Sequence, residues 1–204
     1  MVEGAPLVTT HEPAREERTA LKEWAVLVDA MGRGDLIAMV RKGGIREQRA
    51  GFDVRHERFL LYPTFFHEKV HELADRFRPT LDRAHGDRPP EGMLRLRFVA
   101  DVAAVWRVTE LERLRGIVAE HGLTWGAVES RFRYRDNPVV HVVAVRVAQL
   151  PEVVTLPEIR RYTGCVSWVK LDQDVAVRPS QPVIDDPPFA ARLRALASAL
   201  GEPV

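Results

Sequence analysis

Val139-Val140-His141-Val142-Val143-Ala144-Val145-Arg146-Val147 is a run of mostly β-branched residues, which suits a strand far better than a helix. Just before it, Arg131-Phe132-Arg133-Tyr134-Arg135 alternates charged and aromatic residues, the period-two pattern of a half-buried strand. Asp136-Asn137-Pro138 between them carries turn chemistry, so 131–147 reads as a β-hairpin. Working outward, residues 94–108 read as a long strand, and 36–42, 58–62, 153–156 and 165–171 as shorter ones. About four helices join them, over 16–31, 65–77, 109–121 and 189–200. The first carries Leu21, Trp24, Val28 and Met31 on one face and stops at Gly32 and Gly34. Thr64 is a fitting N-cap for the second, and Thr109 with Glu112 forms a capping box on the third. Strands that follow strands argue against a doubly wound parallel sheet. The expected class is α+β, with a curved mixed or mostly antiparallel sheet, a β-barrel being the closed extreme.

The bulk composition sets bounds. The chain has 204 residues, long enough to bury a core without metals or disulfides. Residues 1–14 read as a loose N-terminal tail and 15–204 as one α+β domain. With 30 basic and 29 acidic residues the net charge is +1, so no overall field attracts a polyanion. The lone cysteine, Cys165, suits a reducing compartment, and neither a signal pattern nor a long apolar run is present. A cytoplasmic, non-membrane protein is expected.

Four motifs carry chemistry. His67-Glu68-Lys69-Val70-His71 matches H-E-x-x-H, whose histidines sit one helical turn apart to hold zinc while the glutamate acts as base. Lys69 is out of place there, and only His85 and Glu91 offer a convenient third ligand, so no zinc and no cofactor are expected. Arg41-Lys42-Gly43-Gly44-Ile45-Arg46 joins three cations to two glycines, which can form a turn or an anion-binding nest. Residues 93–150 hold nine basic and six acidic residues, and Arg131, Arg133 and Arg135 would share one strand face, as Arg95 and Arg97 would on a neighbour. Such a face can follow a phosphate backbone, with Trp106 or Trp125 to stack on bases. Cys165 could act as a nucleophile with His67 or His141 as base, although a small buried side chain is the commoner role of such a cysteine. The carboxylate two residues before a lysine, typical of restriction-type nucleases, is missing: Ala20, Val40, His67 and Trp168 stand there.

Four segments taken in order carry a resemblance. They are Leu21-Lys22-Glu23-Trp24-Ala25, Arg41-Lys42-Gly43-Gly44-Ile45-Arg46-Glu47, Phe59-Leu60-Leu61-Tyr62-Pro63-Thr64 with His67, and Tyr162-x-Gly164-Cys165-x-Ser167-Trp168. The series resembles the bacterial family known as domain of unknown function 1802, over about residues 20 to 172. That resemblance implies no assigned activity. It also implies a histidine at position 67 without a partner at 71, which would make the H-E-x-x-H match local. At the level of fold alone, the order of elements is similar to that of ASCH and PUA barrels, which bind RNA or modified nucleotides.

The expected function is a nucleic-acid or nucleotide-binding module. Arg41, Lys42, Gly43, Gly44 and Arg46 would hold phosphate, and Tyr62, His67 and Trp168 would line the cleft. The alternatives are a hydrolase, through His67, Glu68 and His71 or through Cys165, and a non-catalytic interaction subunit. RNA, DNA or a nucleotide is the expected ligand.

Overall fold

The computed structural model describes residues 15–42, 56–65, 68–164, 166–177 and 181–204. These form an α+β protein with a six-stranded mixed sheet. Along the chain run β1 (Arg15–Trp24), α1 (Ala25–Gly32), β2 (Ala38–Arg41), β3 (Arg58–Thr64), α2 (Leu81–Gly86), β4 (Met93–Val108), α3 (Val118–His121), α4 (Trp125–Arg133), β5 (Val140–Pro157), β6 (Trp168–Val177) and α5 (Asp186–Leu200). The strand order is β2-β5-β4-β3-β1-β6. Among the described strands only β1 and β3 pair in parallel. The long antiparallel pair β4–β5 is the spine, running from Met93↔Pro157 to Val108↔Val140 with two register shifts, which bend and twist such a pair.

The sheet is open, with β2 and β6 at its edges, so the closed barrel is not formed. It is nevertheless strongly curled. Four strand spacings separate β2 from β1, roughly 19 Å in a flat sheet. Yet Arg41 at the end of β2 donates to Glu23 of β1 at 2.8 Å. Only a curl that brings the two strand ends face to face allows this, and Glu23 and Arg41 therefore meet on the concave side.

Two apolar clusters lie on the two faces. The larger contains Leu21, Phe59 and Leu61 and takes α1 and α5. The smaller contains Ala20, Leu60, Tyr62 and Val169. The parity of β1 and β3 thus decides which side chains can meet.

Several expected elements change type. Residues 16–31 are half strand, β1, and half helix, α1; β1 lies between β3 and β6, and that pairing overrides the helical spacing. The segment 131–135 is not a strand. It ends α4, which Thr124 caps by accepting from Ala127 N–H at 3.3 Å and which buries Val128 and Phe132, four residues apart. The 131–147 hairpin therefore does not exist, and Arg131, Arg133 and Arg135 form no ladder. Residues 65–77 do not make a helix where described: 3-10 turns occupy Val70–Glu72 and Asp75–Thr80. Residues 109–121 likewise begin as a 3-10 turn, Leu111–Ile117, with no side-chain cap bond, before the single turn of α3. The strand at 153–156 is the far end of β5. Against the four helices expected, five α-helices lie among the described residues.

Candidate functional site

The first and third of the quoted segments end side by side, where β1 and β3 run parallel from Ala20↔Leu60 to Trp24↔Thr64. In sheets with parallel strands, the carboxyl ends are the common place for ligand sites. The fourth segment joins from β6: Leu21 pairs with Trp168, and Lys22 N–H donates to Ser167 C=O at 2.8 Å. The second joins through Arg41, which also donates to Lys22 C=O at 3.2 Å. So all four segments meet around Lys22 and Glu23.

They meet on two faces. Lys22 and Tyr62 face one way and line a cleft of about 860 Å³. Tyr62 forms its buried floor, 1% exposed, and donates its hydroxyl to Glu158. Burial, together with that bond and the nearby carboxylate, pushes the phenol well above its ordinary range. Tyr62 is thus a permanent proton donor to Glu158. Glu158 itself is fixed where β5 ends, its N–H donating to Gly92 C=O at 2.7 Å. Lys22 reaches over the Tyr62 ring, 5.3 Å from its centre, and donates to Gly164 C=O at 3.1 Å. The opposite wall is Phe65 with Pro89 and Pro90, and Arg88 lies over the Phe65 ring at 5.1 Å. Arg95 also lines the cleft and is held by Asp87 at 3.0 Å.

On the concave face Glu23 and Arg41 form a buried ion pair. Trp168 belongs to this face: it meets Phe59 edge-on at 5.1 Å and stands 5.1 Å from the His56 ring. Tyr62 and Trp168 therefore do not share a cleft, because the two-residue period of the strands sends them to opposite sides. Lys42 turns its ammonium onto the backbone carbonyls of Phe132, Asn137 and Val139. Gly43, Gly44, Arg46, His67 and Cys165 lie outside the described residues.

Glu68 has a structural task. It is 3% exposed, accepts from Val26 N–H in the first turn of α1 at 3.1 Å, and pairs with His85. A carboxylate at a helix N-terminus is favourable in its own right. His85, a candidate third zinc ligand, is here the partner of Glu68. His71 is exposed on a 3-10 turn, not on an α-helix, so the i,i+4 geometry of H-E-x-x-H is missing from its described half. Among the described residues no three His, Cys, Asp or Glu side chains group as a metal site.

Sequence reasoning missed Glu158, Arg88 and Lys22 as lining residues. Lys22 stood inside a quoted segment. Glu158 carried no motif, only its place after Pro157 at a strand end.

An open, curled α+β sheet with a cleft beside the parallel pair β1–β3 defines the structural class. The chain belongs to the family described as Domain of unknown function (DUF1802), whose model matches residues 20–195. No curated protein and no solved structure matches it. No helix of the described residues is long and apolar enough to cross a membrane.

Proposed function

We propose that this protein binds a nucleotide or a closely related phosphate-bearing small molecule in the cleft over Tyr62. The observation that carries this reading is the cleft itself. Its volume, about 860 Å³, suits a ligand of that size. It joins an aromatic and proline wall, Phe65 with Pro89 and Pro90, to the cations Lys22 and Arg88. A flat ring can stack on such a wall, and a phosphate can be met by a guanidinium at its edge. Arg41 pairs with Glu23 and Lys42 with backbone carbonyls away from this cleft, so a phosphate bound in the cleft would meet Arg88 at the edge of the Phe65 ring. Tyr62, held protonated against Glu158, acts as a scaffold for that carboxylate and not as a base.

Calorimetric titration with nucleoside monophosphates and with the matching nucleosides tests this. The monophosphates should bind and raise the melting temperature, as any ligand of the native state must. Nucleosides should bind about tenfold more weakly, the equivalent of one charge-assisted contact. Arg88 is exposed, so Arg88→Ala should fold normally and erase the difference between the two. Absence of binding by any nucleotide at millimolar concentration would end this reading.

A further inference from the structure

Glu158 is a carboxylate inside a cleft that also carries the cations Lys22, Arg88 and Arg95 and a second carboxylate, Glu91, and its placement has a chemical meaning. A carboxylate repels phosphate and accepts hydrogen bonds only. Tyr62 occupies one of its oxygens, Oε1, from the buried floor. The backbone bond from Glu158 N–H to Gly92 C=O fixes its stem. The remaining acceptor capacity of Glu158 is thereby held at the cleft wall, beside Lys22, which lies over the same tyrosine. Three residues of extended chain separate Tyr62 from Phe65, roughly 10 Å. The cleft is therefore polar in one sense: Arg88 over Phe65 at one end, Glu158 and Lys22 over Tyr62 at the other. A phosphate belongs to the first end. The second calls for a group that donates N–H to a carboxylate and accepts from an ammonium.

We infer, resting on the nucleotide reading above, that Glu158 reads the base and selects guanine. Guanine presents two adjacent donors, N1–H and the N2 amino group, next to the O6 acceptor. The two donors match the carboxylate and O6 matches the ammonium of Lys22. Adenine has no donor at N1 and no 2-amino group, so it offers the carboxylate only its N6 amino group. Hypoxanthine keeps N1–H and O6 and lacks only the 2-amino donor. A paired contact of a carboxylate with a base edge is worth about a tenfold preference or more.

The test compares dissociation constants of GMP, IMP and AMP for the parent and for Glu158→Gln. Glutamine keeps the acceptor for Tyr62 and loses the charge, so the fold should persist, and its melting temperature checks this. The expected result is GMP tighter than IMP, IMP tighter than AMP, about tenfold between the extremes, with the ranking flattened in Glu158→Gln. Equal affinity for all three in the parent would overturn the base selection while leaving the nucleotide reading intact. Absence of binding by all three would remove both. If Glu158→Gln fails to fold, the IMP comparison in the parent decides alone, since it removes one donor without touching the protein.

Discussion

A carboxylate buried between strands needs a cation beside it, and Glu23, 7% exposed, has Arg41 at 2.8 Å. Removing one partner leaves the other buried and uncompensated, which costs about 3–5 kcal/mol. Glu23→Gln and Arg41→Met should each lower the unfolding free energy obtained from urea titration by an amount in that range, and the double variant Glu23→Leu/Arg41→Met by much less than their sum. Equal and additive losses would show that the two side chains act separately. Arg131 stands over the Trp24 ring nearby, and burial holds its pKa below the usual arginine range. His121 is 1% exposed, accepts from Leu123 N–H on Nδ1 at 3.1 Å, and is held down to about 4 by burial and by Arg131 and Arg76. His141 is held down to about 4 as well, by burial and by Arg107 and Lys42. Both are neutral in the fold, whereas in the unfolded chain they titrate near 6.5. Between those values the unfolded state binds more protons, so stability is full above about pH 6.5 and falls as the pH drops toward 4. His121, the more deeply buried ring, contributes on the order of 3 kcal/mol across that window, and His141 less. Urea unfolding at pH 7, 5.5 and 4.5 should show the fall, and His121→Asn should flatten part of it. A flat profile in the parent would mean that neither ring is neutral by burial.

At the scale of elements, α1 ends against β4. A Cβ on Gly32 would lie 2.1 Å from the tip of Phe98, so the close approach of helix and sheet depends on this glycine. Gly32→Ala should cost about 1–3 kcal/mol by overpacking, and Phe98→Leu should recover part of it when combined. An unchanged melting temperature for Gly32→Ala would show that the helix shifts freely. What the sequence made legible followed its strongest local signals. The valine run of β5, the long β4, the strand ending at Thr64 and α5 all lie where propensity and burial agree. The failures lie where they compete. β1 has an apolar spacing that suits a helix, and its pairing on both sides decided otherwise. The Arg-Phe-Arg-Tyr-Arg alternation looked like a strand, but Val128 and Phe132 at i,i+4 bury a helix face instead. The H-E-x-x-H match needed an α-helix, and the chain there makes 3-10 turns. Of the candidate site, Tyr62 stood in the quoted segment Phe59–Thr64, and it lies at the floor of the cleft. Glu158 was not legible, since its role depends on a contact with a residue 96 positions away. No local pattern records such a pair.

For the whole molecule, we propose that residues 15–204 fold as one cooperative unit. The two apolar clusters are the two faces of one sheet, so neither can persist when the strands separate. Tryptophan fluorescence and far-ultraviolet circular dichroism should report one shared urea midpoint; two separate midpoints would divide the chain. The same whole-molecule view bears on the ligand. The net charge is +1, and many arginines are already matched, Arg33 with Asp29, Arg58 with Asp101, Arg146 with Asp186 and Arg192 with Glu120. Among the described residues this pairing works against a long basic track for a phosphate backbone. Attraction must come from the cleft, where Arg88 can meet the phosphate of one nucleotide and little more. Each phosphate contact that releases counterions from a single strand adds about −0.7 to the slope of log K against log salt. A short single-stranded oligonucleotide should therefore bind no more tightly than a mononucleotide, with a slope of about −1 and not the −4 or beyond of a strand-binding groove. Binding isotherms of a mononucleotide and a ten-residue oligonucleotide at several salt concentrations decide this. A steep slope with affinity rising along the oligonucleotide would move the site from the cleft over Tyr62 to an extended surface, and the protein from nucleotide binding to strand binding.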